Sequence, residues 1–478
     1  MKNVGVLLIQ SSIEDVNLAI EVIFDFLQLY PHFQFMLFVH DNVSKSSFIT
    51  QETHKQCGIQ SHSHLKKFKD RMRSCTLLNA SATLALNDNK LAKYDALFNK
   101  IATTLNVAKS NTASIKSFSS NSVIWSGHYN PCDGYGSSLE QMVIAMEKAD
   151  DFNIILKPFQ VGNLHLANPL SKLVYNRSHA FTLHKGRLNH AHYILYAQPH
   201  QNALPFVFRD KSINFTMWES SRIPPTWPQH MNMFSEVWTP SEWGAEVMRE
   251  CGVKTKIRVI PLGVNLDTFQ YRDPSQVLSN KKFRFLLYAN SHWENPRKNY
   301  QLTLDAFTKA FGNNKNVELL LKLTTDIPSH LRTNPNVIVM NSRLSTDELS
   351  SLLHSAHCFL FISSGEGFSL PAAEAMASGV PTLLSNTSAQ GVFAQEKYST
   401  VVQPTGTKVV SGYPPIFGHH KTMGTFDDYT VNSVAEKMLW VYNHYSEAMN
   451  RAREAHKYIK SNFTYAHTAQ RIKEALDA

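Results

Sequence analysis

The amino-acid sequence predicts an α/β protein built on doubly wound parallel sheets, and three observations carry that prediction. From residue 283 onward, short apolar runs alternate with helix-patterned segments. Strands are expected near 283–289, 317–323, 336–340, 357–362, 380–384 and 399–402, with helices near 300–311, 345–354 and 369–378. Strands separated by helices pair in parallel, because each helical crossover returns the chain to the same end of the sheet. Within that series, the apolar run Cys358-Phe-Leu-Phe-Ile362 leads into Gly365-Glu-Gly367 and then into Ala372–Ala377, a run of good helix formers: strand, glycine turn, helix. Finally, 478 residues exceed one ordinary domain and imply two or three.

Residues 1–105 open as strand (Val4–Ile9), helix (Ser12–Leu29) and strand (Phe33–Val39), followed by polar, helix-patterned sequence. They are expected to form an extra N-terminal α/β domain that carries no activity signature. Residues 106–122 are rich in Ser, Asn and Lys and poor in large apolar side chains, the composition of a linker. Val123–Trp125 reads as a strand running into the loop Gly127–Ser138, after which Leu139–Lys148 has helical periodicity. The Gly134-Tyr135-Gly136 triplet in that loop would let backbone approach a ligand closely, and a simple turn is an equal reading. Further strands are expected at 192–196, 213–218, 235–239 and 256–260, and 431–476 is helix-patterned.

The turn after Ile362 holds the chemistry. A helix starting near Ser369, with Pro371 in its first turn, points its free N–H groups at whatever docks above the strand end, which suits phosphates or sugar hydroxyls. Glu374 lies one to two turns into that helix, within reach of a ribose diol, and Glu366 sits where a sugar ring would lie. The plainer readings are a solvated helix face for Glu374 and a turn residue for Glu366.

Over some twenty consecutive positions, Ser363–Leu384 resembles the donor site of retaining glycosyltransferases with the GT-B fold, specifically the family-four group. That family has two glutamates with seven residues between them, with Gly-Phe after the first and Glu-Ala-Met-Ala around the second. Here these are Glu366-Gly367-Phe368 and Glu374-Ala375-Met376-Ala377. The resemblance continues in Met217-Trp-Glu-Ser220, Trp238-Thr-Pro-Ser-Glu-Trp243 and Val259-Ile-Pro-Leu-Gly-Val-Asn265. It implies two Rossmann-like domains facing a cleft, 123–262 on the acceptor side and 263–450 on the donor side. Residues 451–478 would be a C-terminal helix packing back across both halves. The crossing would lie near 262–282, with Gly263 beside the donor.

The resemblance also assigns roles. Pro296-Arg-Lys-Asn299 is similar to the family's Pro-Arg-Lys-Gly segment, whose Lys meets the donor diphosphate, so that role falls to Lys298. A second basic residue, placed in many members at the end of the preceding strand, is absent from Tyr288–Trp293 or replaced by His292, with Arg297 as a substitute. Lys322, at the end of a buried strand, is a further candidate because a lone buried cation needs a partner. His200 matches a family histidine near the donor sugar and acceptor, with an ordinary loop histidine as the alternative. Glu219 matches better, in a binding or structural role. Glu366, Lys298 and His200 are thus the expected catalytic residues. Glu374, Gly367, Phe368, Ser369, Arg297, Lys322, Gly134, Tyr135, Gly136, Gly263 and Glu219 are the expected donor-binding set.

No Asp-x-Asp motif occurs in the chain, so transfer is expected to need no metal and no cofactor beyond a UDP- or GDP-sugar as co-substrate. Five scattered cysteines without a Cys-x-x-Cys pair argue against a zinc site or a disulfide scaffold and suit a reducing cytoplasm. No apolar run approaches the roughly 18 residues of a membrane-spanning helix. The net charge of +9 favours a polyanionic partner, either an anionic membrane surface, which would make the protein peripheral, or nucleic acid. Three functions follow: sugar transfer to a glycan or lipid-linked acceptor; glycosylation of a modified DNA base, as in phage GT-B enzymes; and nucleotide-sugar binding without transfer. The intact Glu366, Lys298 and Glu374 weigh against the last.

Overall fold

The computed structural model describes residues 122–127, 134–158, 191–199, 211–276, 282–288, 296–323, 334–342, 344–411 and 423–478, and the backbone alone of strands at 2–8, 33–39, 60–61 and 75–79. The chain forms two compact units. One comprises Met1–Pro131, Glu147–Asn214 and Met233–Glu236, and the other Cys132–Met146, Phe215–Asn232 and Val237–Ala478.

The N-terminal strands β1 (Lys2–Leu8), β2 (Phe33–Val39), β3 (Gln60–Ser61) and β4 (Cys75–Asn79) pair in parallel in the order β3-β2-β1-β4. β1 and β2 fall where expected. β3 and β4 lie in sequence read as helical. The helix expected at 12–29 and the linker before Ser122 lie outside the described residues.

A second sheet contains β5 (Ser122–Gly127), β6 (Asn153–Pro158), β7 (His192–Tyr196), β8 (Ser212–Phe215), β9 (Glu236–Thr239) and β10 (Lys256–Val259), in the order β10-β9-β8-β7-β5-β6. β5 is parallel to both β6 and β7. Val123, Ile124 and Trp125 are buried in succession, the mark of a strand covered on both faces. β6 was not expected. Its Ile-Ile-Leu core is short and ends at Pro158, where the ladder loses a donor. The helix after β5, α1, spans Gly134–Ala149. Gly134-Tyr135-Gly136 is therefore its first turn, which corrects the loop reading. Helices α2 (Trp227–Met231) and α3 (Glu242–Glu250) follow, the latter capped by Ser241, which accepts from Gly244 N.

The third sheet agrees closely with expectation. β11 (Phe283–Tyr288), β12 (Val317–Leu323), β13 (Val337–Asn341), β14 (Cys358–Phe361), β15 (Thr382–Ser385) and β16 (Thr400–Val402) lie in the order β13-β12-β11-β14-β15-β16. Every pair is parallel. Helices α4 (Tyr300–Phe311), α5 (Thr346–Leu353) and α6 (Leu370–Ala377) are the crossovers. Phe285, Leu287, Phe307, Leu319, Leu321 and Leu360 fill the core together with Val434, Met438 and Val441 of α7 (Val431–Asn443). Each large apolar side chain so buried contributes about 1.5–3 kcal/mol.

One feature of this unit was not anticipated, and the C-terminal helix expected over 451–478 is divided in two. An antiparallel hairpin, β17 (Gly406–Val409) with β18 (Thr425–Asp428), adds Phe426 and its flanking Val410 and Met423 to a core around Trp218, Trp227 and Met248. The C-terminal segment also continues past α7 as two helices, α8 (Tyr445–Asn462) and α9 (Tyr465–Asp477). α8 packs on α6, with His456 Nδ1 2.8 Å from Ala377 O. The start of α9 docks on Pro261–Val264: Val264 N donates to Phe463 O at 2.8 Å, and Thr468 Oγ1 donates to Pro261 O at 2.9 Å. A Cβ on Gly263 would lie 2.2 Å from Tyr465 N. Gly263 thus answers to a close backbone approach by the C-terminal helix.

Candidate active site

Two loops at the C-terminal ends of neighbouring parallel strands build the site. After β11, residues Pro296–Lys298 form a 3-10 turn, and Asn299 adopts a left-handed conformation (φ 47°, ψ 34°) that turns the chain into α4. After β14 comes Ser363-Ser-Gly-Glu-Gly-Phe-Ser369, which ends on another left-handed residue, Ser369 (φ 81°), ahead of α6. Backbone and side chains stitch the loops together. Ser364 N donates to Arg297 O at 2.7 Å, and Asn299 Nδ2 donates to Ser364 Oγ at 2.7 Å.

That stitching brings Arg297, Lys298 and Glu366 into one buried cluster. Lys298 Nζ is 2.6 Å and Arg297 Nη1 2.8 Å from Glu366 Oε1, and Arg297 Nη1 also donates to Gly365 O at 2.6 Å. Arg297 Nη2 stands 3.6 Å from Glu219 Oε1. Glu366 is only 6% exposed. Burial alone would raise its pKa, but Lys298 and Arg297 outweigh that and hold it below the ordinary carboxylate range. Burial lowers the pKa of Lys298, against the pull of Glu366. Lys298 Nζ also lies 4.5 Å above the Phe361 ring. The backbone of Glu366 is fixed through Ser388, whose Oγ accepts from Glu366 N at 2.6 Å and donates to Glu366 O at 3.0 Å.

The glycines of this loop permit close packing. A Cβ on Gly365 would lie 2.2 Å from Glu219 O, and one on Gly367 would lie 2.8 Å from the Met217 side chain. The Met217–Glu219 segment is held in turn by Tyr135. Its Oη accepts from Met217 N at 3.1 Å and lies within hydrogen-bond distance of Thr216 Oγ1 and Met217 O. Tyr135 thus reaches the cluster at second hand, through the segment that carries Glu219.

Glu374 is different. It is partly exposed on α6, and no described group donates a hydrogen bond to its carboxylate. Burial pushes its pKa up to about 8. Burial raises the pKa of Tyr288, at the end of β11, and of Tyr465, and the charge of Glu374 adds to the rise in both. Lys322 lies beside Tyr288 in the β11–β12 register, with Nζ 5.9 Å from the ring.

Other expected residues serve the framework. Phe368 is buried against Phe393 and Phe463, and Ser369 Oγ donates to the buried Gln390 Oε1 at 2.7 Å. The nitrogen of the same Gln390 amide bonds Phe361 O and Ser385 O, tying the loop to β14 and β15. The Nη groups of Arg297, expected as a second phosphate contact, are engaged by Gly365 O, Glu366 and Glu219. His200 and His292 lie outside the described residues. Sequence reasoning missed Ser363, Ser364, Ser388 and Gln390. The one available signal was Asn299, which stands where the resembling segment has glycine. Among the described residues no group of three His, Cys, Asp or Glu is placed to hold a metal ion, and no helix is long and apolar enough to cross a membrane.

Residues 245–472 match the family model described as family 4 glycosyltransferase in conflict systems. The chain is similar to the MMP alpha-(1->4)-mannosyltransferase of Mycolicibacterium hassiacum, 32% identical over 144 residues, covering 28% of this chain and 32% of that one. The match therefore spans about a third of that relative's length. In fold, the chain is similar to Anabaena HepE, solved in complex with UDP and glucose, with a TM-score of 0.53, 12% identity and coverage of 75% of this chain and 99% of that one. It is also similar to the alpha,alpha-trehalose 6-phosphate synthase of Burkholderia multivorans, with a TM-score of 0.50, 9% identity and coverage of 75% and 98%.

Proposed function

We propose that this chain, a member of the family-four glycosyltransferases of GT-B fold, moves a sugar from a UDP- or GDP-sugar to a glycan or lipid-linked acceptor with retention of configuration. The observation that carries the reading is the pairing of Glu366 with Lys298 and Arg297 at the mouth of the helix that bears Glu374, whose carboxylate receives no hydrogen bond among the described residues. Fixed positive charge in a buried site is what a departing diphosphate needs, because it stabilises charge as it develops without reorganising. A carboxylate with no protein donor is what a ribose diol needs.

In this reading residues 263–450 bind the donor and 123–262 face the acceptor. Glu374 accepts from the ribose hydroxyls, Lys298 meets the diphosphate, and Glu366 lies against the sugar and keeps Lys298 charged. The bond from the anomeric carbon to the diphosphate breaks as the acceptor oxygen attacks from the same face. The acceptor proton passes to the leaving phosphate, so no side chain acts as general base. No metal is required. HepE's UDP and glucose make UDP-glucose the first donor to test, and the mannosyltransferase relative adds a mannosyl donor. A thermal-shift screen with UDP, GDP and their sugars should show stabilisation by one nucleotide series, since a ligand bound only to the folded state raises its melting temperature. No shift with any of them would overturn the reading.

The family model's description and the charge of +9 keep a second acceptor in view, a modified base in DNA. Labelled donor supplied with either lipid and oligosaccharide extract or hydroxymethylated duplex DNA separates the two. Label on DNA alone, lost steeply as salt rises, would establish the second reading.

A further inference from the structure

The hairpin β17–β18 touches each of the three backbone segments that carry the charged cluster. On the Glu219 side, Ser221 N donates to Thr425 O at 3.1 Å, Thr425 N to Ser221 Oγ at 2.8 Å, and Ser220 Oγ to Met423 O at 2.8 Å. On the Glu366 side, Asp427 N donates to Ser364 O at 3.1 Å, and the Phe426 ring lies 3.0 Å from where a Cβ on Gly365 would stand. Thr387 Oγ1, one residue before Ser388, donates to Asp427 Oδ2 at 2.7 Å. On the Lys298 side, Lys408 Nζ donates to Asn299 Oδ1 at 3.1 Å and pairs with Asp428 Oδ1 at 3.2 Å.

Asn299 is the joint of this arrangement. Its left-handed backbone alone would be met by glycine with less strain. What asparagine adds is a buried amide used at both ends: Nδ2 donates to Ser364 Oγ, two residues before Glu366, and Oδ1 accepts from Lys408. A buried amide is costly unless bonded, and here each bond ends on a different part of the site. We propose that Asn299 and Lys408 form a positioning relay through which the hairpin sets the separation of Lys298 and Glu366. Neither touches the reacting atoms. Their effect on turnover rests on the glycosyl-transfer reading, whereas their coupling of the two loops does not.

The test uses the full chain and four variants: Asn299→Gly, Lys408→Met, the double variant and Lys408→Arg. Backbone hydrogen exchange without ligand is read alongside hydrolysis of UDP-glucose and GDP-mannose. Either single loss should speed exchange of the Ser363–Glu366 amides, with the remaining core unaffected. It should lower kcat about tenfold, the scale of one charge-assisted hydrogen bond, while KM moves less than about twofold. The double variant should be no worse than either single one, because both remove the same linkage. Lys408→Arg should recover most of kcat. Unchanged exchange at 363–366, additive losses, or a fall in melting temperature with kcat retained would overturn the relay. If the unmodified protein hydrolyses neither sugar nucleotide, the choice of donor fails separately, and exchange in the singles and the double still decides the coupling.

Discussion

Glu366 and Glu374 stand eight positions apart in one strand–turn–helix unit, yet their surroundings are opposite. Glu366 is enclosed with two cations within 2.8 Å of one oxygen, and its pKa is held down. Glu374 faces two tyrosines, receives no hydrogen bond among the described residues, and has its pKa pushed up to about 8. The difference teaches how a short motif divides its labour. Among the described residues, the turn carries an electrostatic assembly whose charges are paired, whereas the helix carries a carboxylate that receives no hydrogen bond. A carboxylate whose pKa is raised by burial costs the folded state stability once it ionises.

The largest effect expected is at the paired end of the comparison. Glu366→Ala should abolish transfer and also destabilise the fold, on the order of 3–5 kcal/mol, because Arg297 and Lys298 would lose a buried counter-charge. Urea unfolding and a transfer assay on the same preparation would check both. A fully active variant would break the comparison. Lys298→Ala should be milder, since Arg297 still pairs with Glu366. Turnover should fall on the order of tenfold or more, as charge-assisted contacts contribute about 1.5–3 kcal/mol, and single-turnover kinetics would reveal it.

At the other end, Glu374→Gln should weaken nucleotide affinity about tenfold by calorimetry. It should also remove a pH dependence: in the unmodified protein affinity should climb as pH approaches 8 and the carboxylate ionises. The same substitution gives a smaller effect of opposite sign on stability. With a folded pKa near 8 against an ordinary 4.5, the folded state holds more protons than the unfolded state between those values. The stability associated with that proton is fully present below about pH 4.5 and lost as pH rises through 8. The ligand-free Gln variant should therefore gain in melting temperature over the unmodified protein from pH 5 to pH 8.5. A constant gap would show that Glu374 is not desolvated. Smallest of all, EDTA should leave transfer unchanged, and loss of activity rescued by manganese would refute metal-independent transfer.

What the sequence disclosed follows from the physics of burial. Parallel strands such as Val317–Leu323 and Cys358–Phe361 are covered on both faces, so they appear as unbroken apolar runs, and the helices between them keep their period. The two glutamates were legible because one turn fixes their spacing. The pairing of Glu366 with Lys298 was not, because it joins residues 68 positions apart in sequence. The hairpin was hidden for a different reason. Its strands are short and largely polar, with Thr407 and Val409 exposed, so no alternation marked them. Gly134-Tyr135-Gly136 misled because glycine argues against a helix interior, while the first turn accommodates it readily.

The fit of Gly263 beneath the start of α9 has a consequence for how the protein comes apart. The contact closes a loop of about two hundred residues, as the Thr468 bond to Pro261, 207 positions away, illustrates. Contacts of such sequence separation are entropically slow to form. Assembly of this unit should therefore finish with the seating of α9. Phe463, just before that helix, packs on Phe368 and Phe393 beneath the glutamate turn. Heating or mild denaturant that lifts the last helix would loosen the floor of the glutamate turn while the parallel sheet is still intact, so any nucleotide binding at that turn should be lost before the sheet melts.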